Sequence, residues 1–172
     1  IQVSFFPSNT FMELKLTGMQ GDVMKESMNV SKTMAWNLTP REVQERLIKY
    51  FDATKNQGIH IHCPEGAVPK DGPSAGTAIT IAIYSLLNEK KIRNDFAITG
   101  EINLQGNVTI IGGLDLKILG GINAGIKKFL FPTENLFDFN LFMEKYKNNK
   151  ILENIEFLDV NHVNDALSCF LV

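Results

Sequence analysis

Short runs of alternating apolar residues, bounded by Gly, Pro and Asn, recur along the chain with helix-period segments between them. That alternation restricts the chain to an α/β domain. Val3-Phe5 and Met12-Leu14-Leu16 read as two strands joined by turn chemistry at Pro7-Ser8-Asn9, an opening hairpin. Asp22 stands where a cap is needed for a helix carrying Val23, Met24, Met28, Val30, Met34 and Trp36. Thr39 is placed as N-cap of a second helix, with Pro40 at its first position and Val43, Leu47 and Ile48 on its apolar stripe. Residues 59–62 form a strand ending at Pro64, 65–76 a Pro/Gly-punctuated loop, and 74–87 a helix. Strands are expected at 96–99, 108–111, 128–131 and 155–160, and helices at 114–126, 135–146 and 163–171. The expectation is a mixed sheet with flanking helices, one domain over residues 1–172, with no repeat and no linker long enough to divide it.

At 172 residues and 44% apolar, the chain can bury a core. Seventeen basic against nineteen acidic residues, a net charge of -2, lack the basic excess of a phosphate-backbone binder, so nucleic acid is not expected as the main partner. The longest apolar stretch, residues 78–87, is broken by Thr80 and Ser85 and falls far short of the roughly 20 residues that cross a bilayer. Two distant cysteines, Cys63 and Cys169, make no disulfide framework and point to a reducing compartment. The chain opens directly on a strand, without an initiator Met or a basic leader, and reads as part of something longer.

Chemistry concentrates in Pro64-Glu65-Gly66-Ala67-Val68-Pro69-Lys70-Asp71-Gly72-Pro73-Ser74-Ala75-Gly76. A serine at a helix start after a Gly-Pro turn exposes its hydroxyl beside backbone N–H groups that the helix leaves unpaired, which makes a nucleophile next to an oxyanion site. The plainer reading is that Ser74 is an N-cap, as most serines at such positions are. His60 and His62 share a strand face, but no third ligand follows at a metal-site spacing, so they read as structural. Cys63 next to His62 does not make a thiol dyad, because adjacent strand residues face opposite ways. Lys117, among Leu and Ile in Gly112-Gly113-Leu114-Asp115-Leu116-Lys117-Ile118-Leu119, is the other candidate base: apolar surroundings favour the neutral amine, the only form that accepts a serine proton. Its alternative is a lysine on a solvated helix face. Neither Gly112-Gly113 nor Gly120-Gly121 fits a phosphate-cradle motif, so this domain is expected to hold no cofactor and not to bind ATP.

The run from Ile59-His60-Ile61-His62 through Pro-Lys-Asp-Gly-Pro-Ser-Ala-Gly resembles the active-site signature of A-type Lon proteases. Leu16-Thr17-Gly18, Gly21-Asp22-Val23-Met24-Lys25-Glu26-Ser27, Thr99-Gly100-Glu101-Ile102, Gly112-Gly113-Leu114 with Lys117, and Gly125-Ile126-Lys127 extend the resemblance over nearly the whole chain. The 43-residue interval from Ser74 to Lys117 is also the family's.

The resemblance implies a Lon-type proteolytic domain and a Ser-Lys endopeptidase of an ATP-dependent protease. Ser74 would attack the scissile carbonyl while Lys117 takes and returns its proton. Thr99 would hydrogen-bond the lysine, and the Ser74 amide would flank the oxyanion in a loop shaped by Asp71 and Gly72. ATP and magnesium would serve the full-length protein. Its partners would be unfolded or damaged polypeptides and further copies in a ring of six; its location would be bacterial cytoplasm or mitochondrial matrix, not a membrane and not secreted. The competing readings are a non-enzymatic Lon-like oligomerisation or binding platform, and a hydrolase of small acyl groups using the same dyad. Asp115-Leu116 before the lysine, Gly120-Gly121 after it and Gln2 in the first strand depart from the family pattern and bear on substrate preference and resting activity.

Overall fold

In the computed structural model, which describes residues 1–171, the strand-forming segments build three small sheets. The first contains β1 (Gln2–Phe6), β2 (Leu14–Thr17) and β3 (Gly58–His62) in the order β1-β3-β2, with β3 antiparallel to β1 and parallel to β2. The expected hairpin is therefore not formed, because β3 lies between its two strands. Ile59 and Ile61 of β3 are fully buried, and a strand covered on both faces takes the central place while half-exposed strands go to the edges.

The second sheet is parallel, β4 (Phe96–Ile98), β7 (Lys128–Pro132) and β8 (Glu156–Val160) in the order β4-β7-β8. Side chains alternate across a strand, so Leu130 enters an aliphatic core on one face while Phe129 and Phe131 enter an aromatic one on the other. The third is a two-residue ladder of β5 (Glu101–Ile102) on β6 (Val108–Thr109). It is too short to show a period in the sequence. Its turn is closed by Asn103 Oδ1, which accepts the N–H groups of Gln105 and Asn107.

The helices are α1 (Asp22–Leu38), α2 (Arg41–Thr54), α3 (Gly76–Leu87), α4 (Leu114–Asn123), α5 (Leu136–Lys145) and α6 (Val163–Phe170). Two expected caps are replaced. Thr39 does not cap α2; its hydroxyl reaches back to the Ala35 carbonyl of α1, and Pro40 holds the cap position. Asp22 is the first residue of α1 rather than its cap, and Gly21, the actual N-cap, has no side chain to offer. The expected helix over 114–126 stops at Asn123, where Gly125 turns left-handed at φ +84.

The aliphatic core joins α1, α3 and α6 to the first sheet and includes Met28, Ile59, Ile61, Ile79, Ile83 and Val163. The aromatic core joins α4 and α5 to the parallel sheet through Leu114, Ile118, Phe129, Phe131 and Phe142, with Phe139 and Phe157 packed against it. Ring pairs such as Phe131–Phe139, at 4.6 Å between centroids, set its spacing.

Candidate active site

Ser74 stands where α3 would begin if its backbone were free to join the helix. Its carbonyl is instead drawn sideways, accepting the Gly100 N–H at 2.9 Å and the Thr99 hydroxyl at 3.1 Å. The helix therefore starts two residues later than the sequence suggests, with Ala75 as its cap position and no side-chain capping bond. Ser74 is not an N-cap, and its hydroxyl meets the side chain of Lys117 instead: Nζ lies 3.1 Å from Oγ. Among the described residues, the N–H groups of Ser74 and Ala75 are given to no protein acceptor.

Thr99 does not reach Lys117 as expected. Its single hydroxyl proton goes to the Ser74 carbonyl, so it secures the backbone of the serine rather than the amine. The head of α3 is fastened further by Thr77, whose N–H and hydroxyl both go to the Gly100 carbonyl at 3.0 and 2.9 Å. From α1, Ser31 donates to the Gly76 carbonyl at 2.9 Å.

Asp71 and Gly72 lie in the loop but not at the serine hydroxyl. Asp71 Oδ1 accepts the Met24 N–H at 2.9 Å and the Gly72 N–H at 2.8 Å. It supplies in trans the cap that Gly21 cannot provide to α1. A Cβ on Gly21 would fall 2.3 Å from the Asp71 carboxyl carbon, so a glycine there admits the carboxylate. The Met24 amide, followed by that of Gly72, holds the Asp71 carboxyl below its ordinary range. Gly72 supplies the left-handed backbone, φ +101, that turns the chain toward Ser74. Lys70, in the same loop, donates to the Glu65 and Val68 carbonyls at 2.8 Å each.

Lys117 arrives from the other core. α4 begins after Gly113, left-handed at φ +68, and turns Leu114 and Ile118 inward. Lys117 itself is exposed rather than enclosed by its Leu and Ile neighbours, because it lies to one side of the inward stripe that Leu114 and Ile118 form on the helix. Beside the pair opens a cavity of about 290 Å³, lined by Ala78, Ala97, Ile98, Leu114 and Phe131 together with Ser74, Thr99 and Lys117. A larger cleft of about 590 Å³ lies at the opposite end of α3, between Phe5, Leu47, Tyr50 and Leu86. There the Ser85 hydroxyl is tied to the Lys90 carbonyl and faces no base.

His60 Nε2 and His62 Nδ1 both meet the Thr17 hydroxyl, at 2.9 and 2.7 Å, across the β2–β3 pairing. They are satisfied structurally, and among the described residues no group of three His, Cys, Asp or Glu could hold a metal. Cys63 is buried, and burial pushes its thiol up. Among the described residues no helix is long and apolar enough to cross a membrane.

Residues 1–172 match the family model of the Lon protease (S16) C-terminal proteolytic domain. The chain is 48% identical to a Lon protease of Fusobacterium nucleatum over 130 residues, 73% of this chain and 16% of that protein. It is 40% identical to one of Desulfatibacillum aliphaticivorans, covering 90% and 18%, and 41% identical to one of Rickettsia typhi, covering 93% and 19%. The chain thus spans less than one fifth of the length of these relatives.

Proposed function

The chain belongs to the Lon protease proteolytic-domain family, and from that premise we propose that it is a serine endopeptidase domain acting through Ser74 and Lys117. The observation that carries this reading is the 3.1 Å approach of Lys117 Nζ to Ser74 Oγ. A binding platform has no use for an amine held on a serine hydroxyl at the mouth of an apolar cavity.

In the proposed reaction, Ser74 Oγ attacks the scissile carbonyl carbon as its proton passes to the neutral Lys117 amine. Negative charge develops on the carbonyl oxygen, and the N–H groups of Ser74 and Ala75, free of other acceptors, stabilise it. The tetrahedral intermediate collapses as Lys117 returns the proton to the leaving amine, which leaves an ester on Ser74. Water then attacks the ester, Lys117 takes its proton, and the acid product departs with Ser74 Oγ reprotonated. The cavity beside the pair suits an apolar substrate side chain, since Ala78, Ala97, Ile98 and Leu114 offer it no polar partner.

In the longer protein we propose that the substrates are unfolded polypeptides and that the working form is a ring of six. ATP and magnesium have no fit in this chain: it contains no G-x-x-x-x-G-K-[ST] cradle, and no step above passes through them. Unfolding a stable substrate requires about 5–15 kcal/mol, which a peptidase site alone does not supply, so this work falls to regions outside the 172 residues. Bacterial relatives favour the bacterial cytoplasm of the two compartments considered.

The test compares a fluorogenic unstructured peptide with a folded substrate, each with and without ATP, using this chain alone. The peptide should be cleaved slowly and the folded substrate left intact. ATP-stimulated degradation of the folded substrate by the 172 residues would overturn the proposed division of labour.

A further inference from the structure

The proposed chemistry needs Lys117 held against Ser74, yet the segment that delivers it is sparsely packed. A Cβ on Gly112 or Gly113 would meet nothing within 4 Å. The anchor lies one residue earlier. Ile111 donates its N–H to Asn135 Oδ1 at 3.0 Å, and its carbonyl accepts from Asn135 Nδ2 at 2.8 Å. One carboxamide thereby pairs with both backbone groups of one residue, as an adjacent strand would. Nδ2 also donates to Asp138 Oδ2 at 2.8 Å. The adjoining Glu134 carboxylate accepts the Ile110 N–H at 3.2 Å.

Asn135 is fully buried and, among the described residues, is the only buried polar residue C-terminal to position 80. Its position at the junction of the 3-10 turn Thr133–Asn135 with α5 would suit a helix cap, but it makes no capping bond. Two of its hydrogen bonds go instead to Ile111, in the segment that runs from β6 into the lysine helix.

We infer that Asn135 is the positioning residue of Lys117. Its grip on Ile111 sets where Gly112-Gly113 turn into α4. The first turn follows, since the Lys117 N–H is bonded to the Gly113 carbonyl at 3.1 Å, and the amine is delivered to Ser74. A displacement of about 1 Å at such a distance costs on the order of 100-fold in rate. The inference rests on the dyad reading, and its test separates the two.

Asn135→Ala would leave both Ile111 groups buried without a partner and endanger the fold. The sharper variant is the exchange Asn135→Asp with Asp138→Asn. Residue 135 keeps its size and, as a carboxylate, accepts the Ile111 N–H, the 135–138 bond returns with its direction reversed, and the Ile111 carbonyl loses its donor and faces a carboxylate oxygen instead. Asn135→Ser, whose shorter side chain reaches neither Ile111 group directly but leaves room for a water between them, serves as a second variant if the exchange does not fold.

Peptide cleavage is measured in the full-length protein, well below each variant's Tm, beside Ser74→Ala and Lys117→Ala. The exchange should lower kcat ten- to hundredfold and leave KM within about twofold. Wild-type kcat in a folded variant, or a change confined to KM, overturns the inference. Retained cleavage by Ser74→Ala and Lys117→Ala would instead remove the dyad reading itself.

Discussion

The serine half and the lysine half of this molecule are built on different principles. Around Ser74 the backbone is fastened many times over, by Thr99, Gly100 and Thr77 at the head of α3, by Ser31 from α1, and by Asp71 tying the loop to α1. Around Lys117 the packing is aromatic and nondirectional, and the directional bonds to the segment before its helix come from the Asn135 carboxamide and the adjoining Glu134 carboxylate. The difference follows the tasks proposed for the two residues. A nucleophile with a short side chain can be placed only by its backbone, whereas a lysine has a flexible four-carbon stem and needs only its helix aimed.

The largest effects should come where the halves meet. Ser74→Ala is expected to abolish peptide cleavage, a loss of about 10⁴-fold or more, with the Tm unchanged. Lys117→Arg should be equally inactive although it keeps the charge, since guanidinium does not deprotonate in a protein. Turnover near wild type in either, measured with a fluorogenic peptide, would dissolve the comparison.

Next comes one glycine from each half. A Cβ on Gly18 would lie 2.1 Å from the Cys63 carbonyl oxygen, at a backbone φ of +106, so Gly18→Ala should lower stability by about 1–3 kcal/mol and cut activity with it. Gly112→Ala meets open space and should leave both nearly unchanged. Equal losses in the two, by thermal melts and peptide assay, would mean that the halves are equally rigid.

A smaller effect belongs to Asp71→Ala, which removes the borrowed cap of α1 and should lower Tm modestly. The Asp71 carboxyl titrates below its ordinary range, so its contribution is present above about pH 4 and is lost as pH falls through its depressed folded-state value. The Tm gap between wild type and variant should therefore be constant near neutrality and close in acid. A gap that persists at the lowest accessible pH would show that the cap does not act through the carboxylate.

The smallest is a gain. Gly120 faces open space within α4, so Gly120→Ala should stabilise by up to about 1 kcal/mol. Gly121→Ala should destabilise, because its Cβ would fall 2.3 Å from the Phe129 ring. Of the two adjacent glycines, one is needed for helix–sheet contact; nothing in the structure explains the other.

Much of this organisation was legible in local pattern. Period-2 and period-3.6 runs located the longer strands and helices to within a few residues. The Gly-Pro turn marked Ser74, and apolar neighbours made Lys117 a candidate base that the family resemblance then singled out. Local pattern misplaced Thr39 as a cap because its hydroxyl turns back to the Ala35 carbonyl, and Asp22 because a cap supplied by a residue 47 positions away, Asp71 on Met24, leaves no trace in the sequence around α1. It missed Asn135 for a similar reason: a buried asparagine ahead of a helix looks like a cap until its distant partner is known.

The sequence by itself determined the alternation of elements, the absence of a phosphate cradle and the residues able to do chemistry, because those depend on side-chain identity and short-range periodicity. Only the tertiary structure decided that β3 separates β1 from β2, that Thr99 holds the Ser74 carbonyl rather than the lysine, and that Lys117 is exposed while touching Ser74 Oγ. Those outcomes are settled by competition among distant groups for a limited number of lone pairs, N–H groups and buried faces, and no window of sequence contains all the competitors.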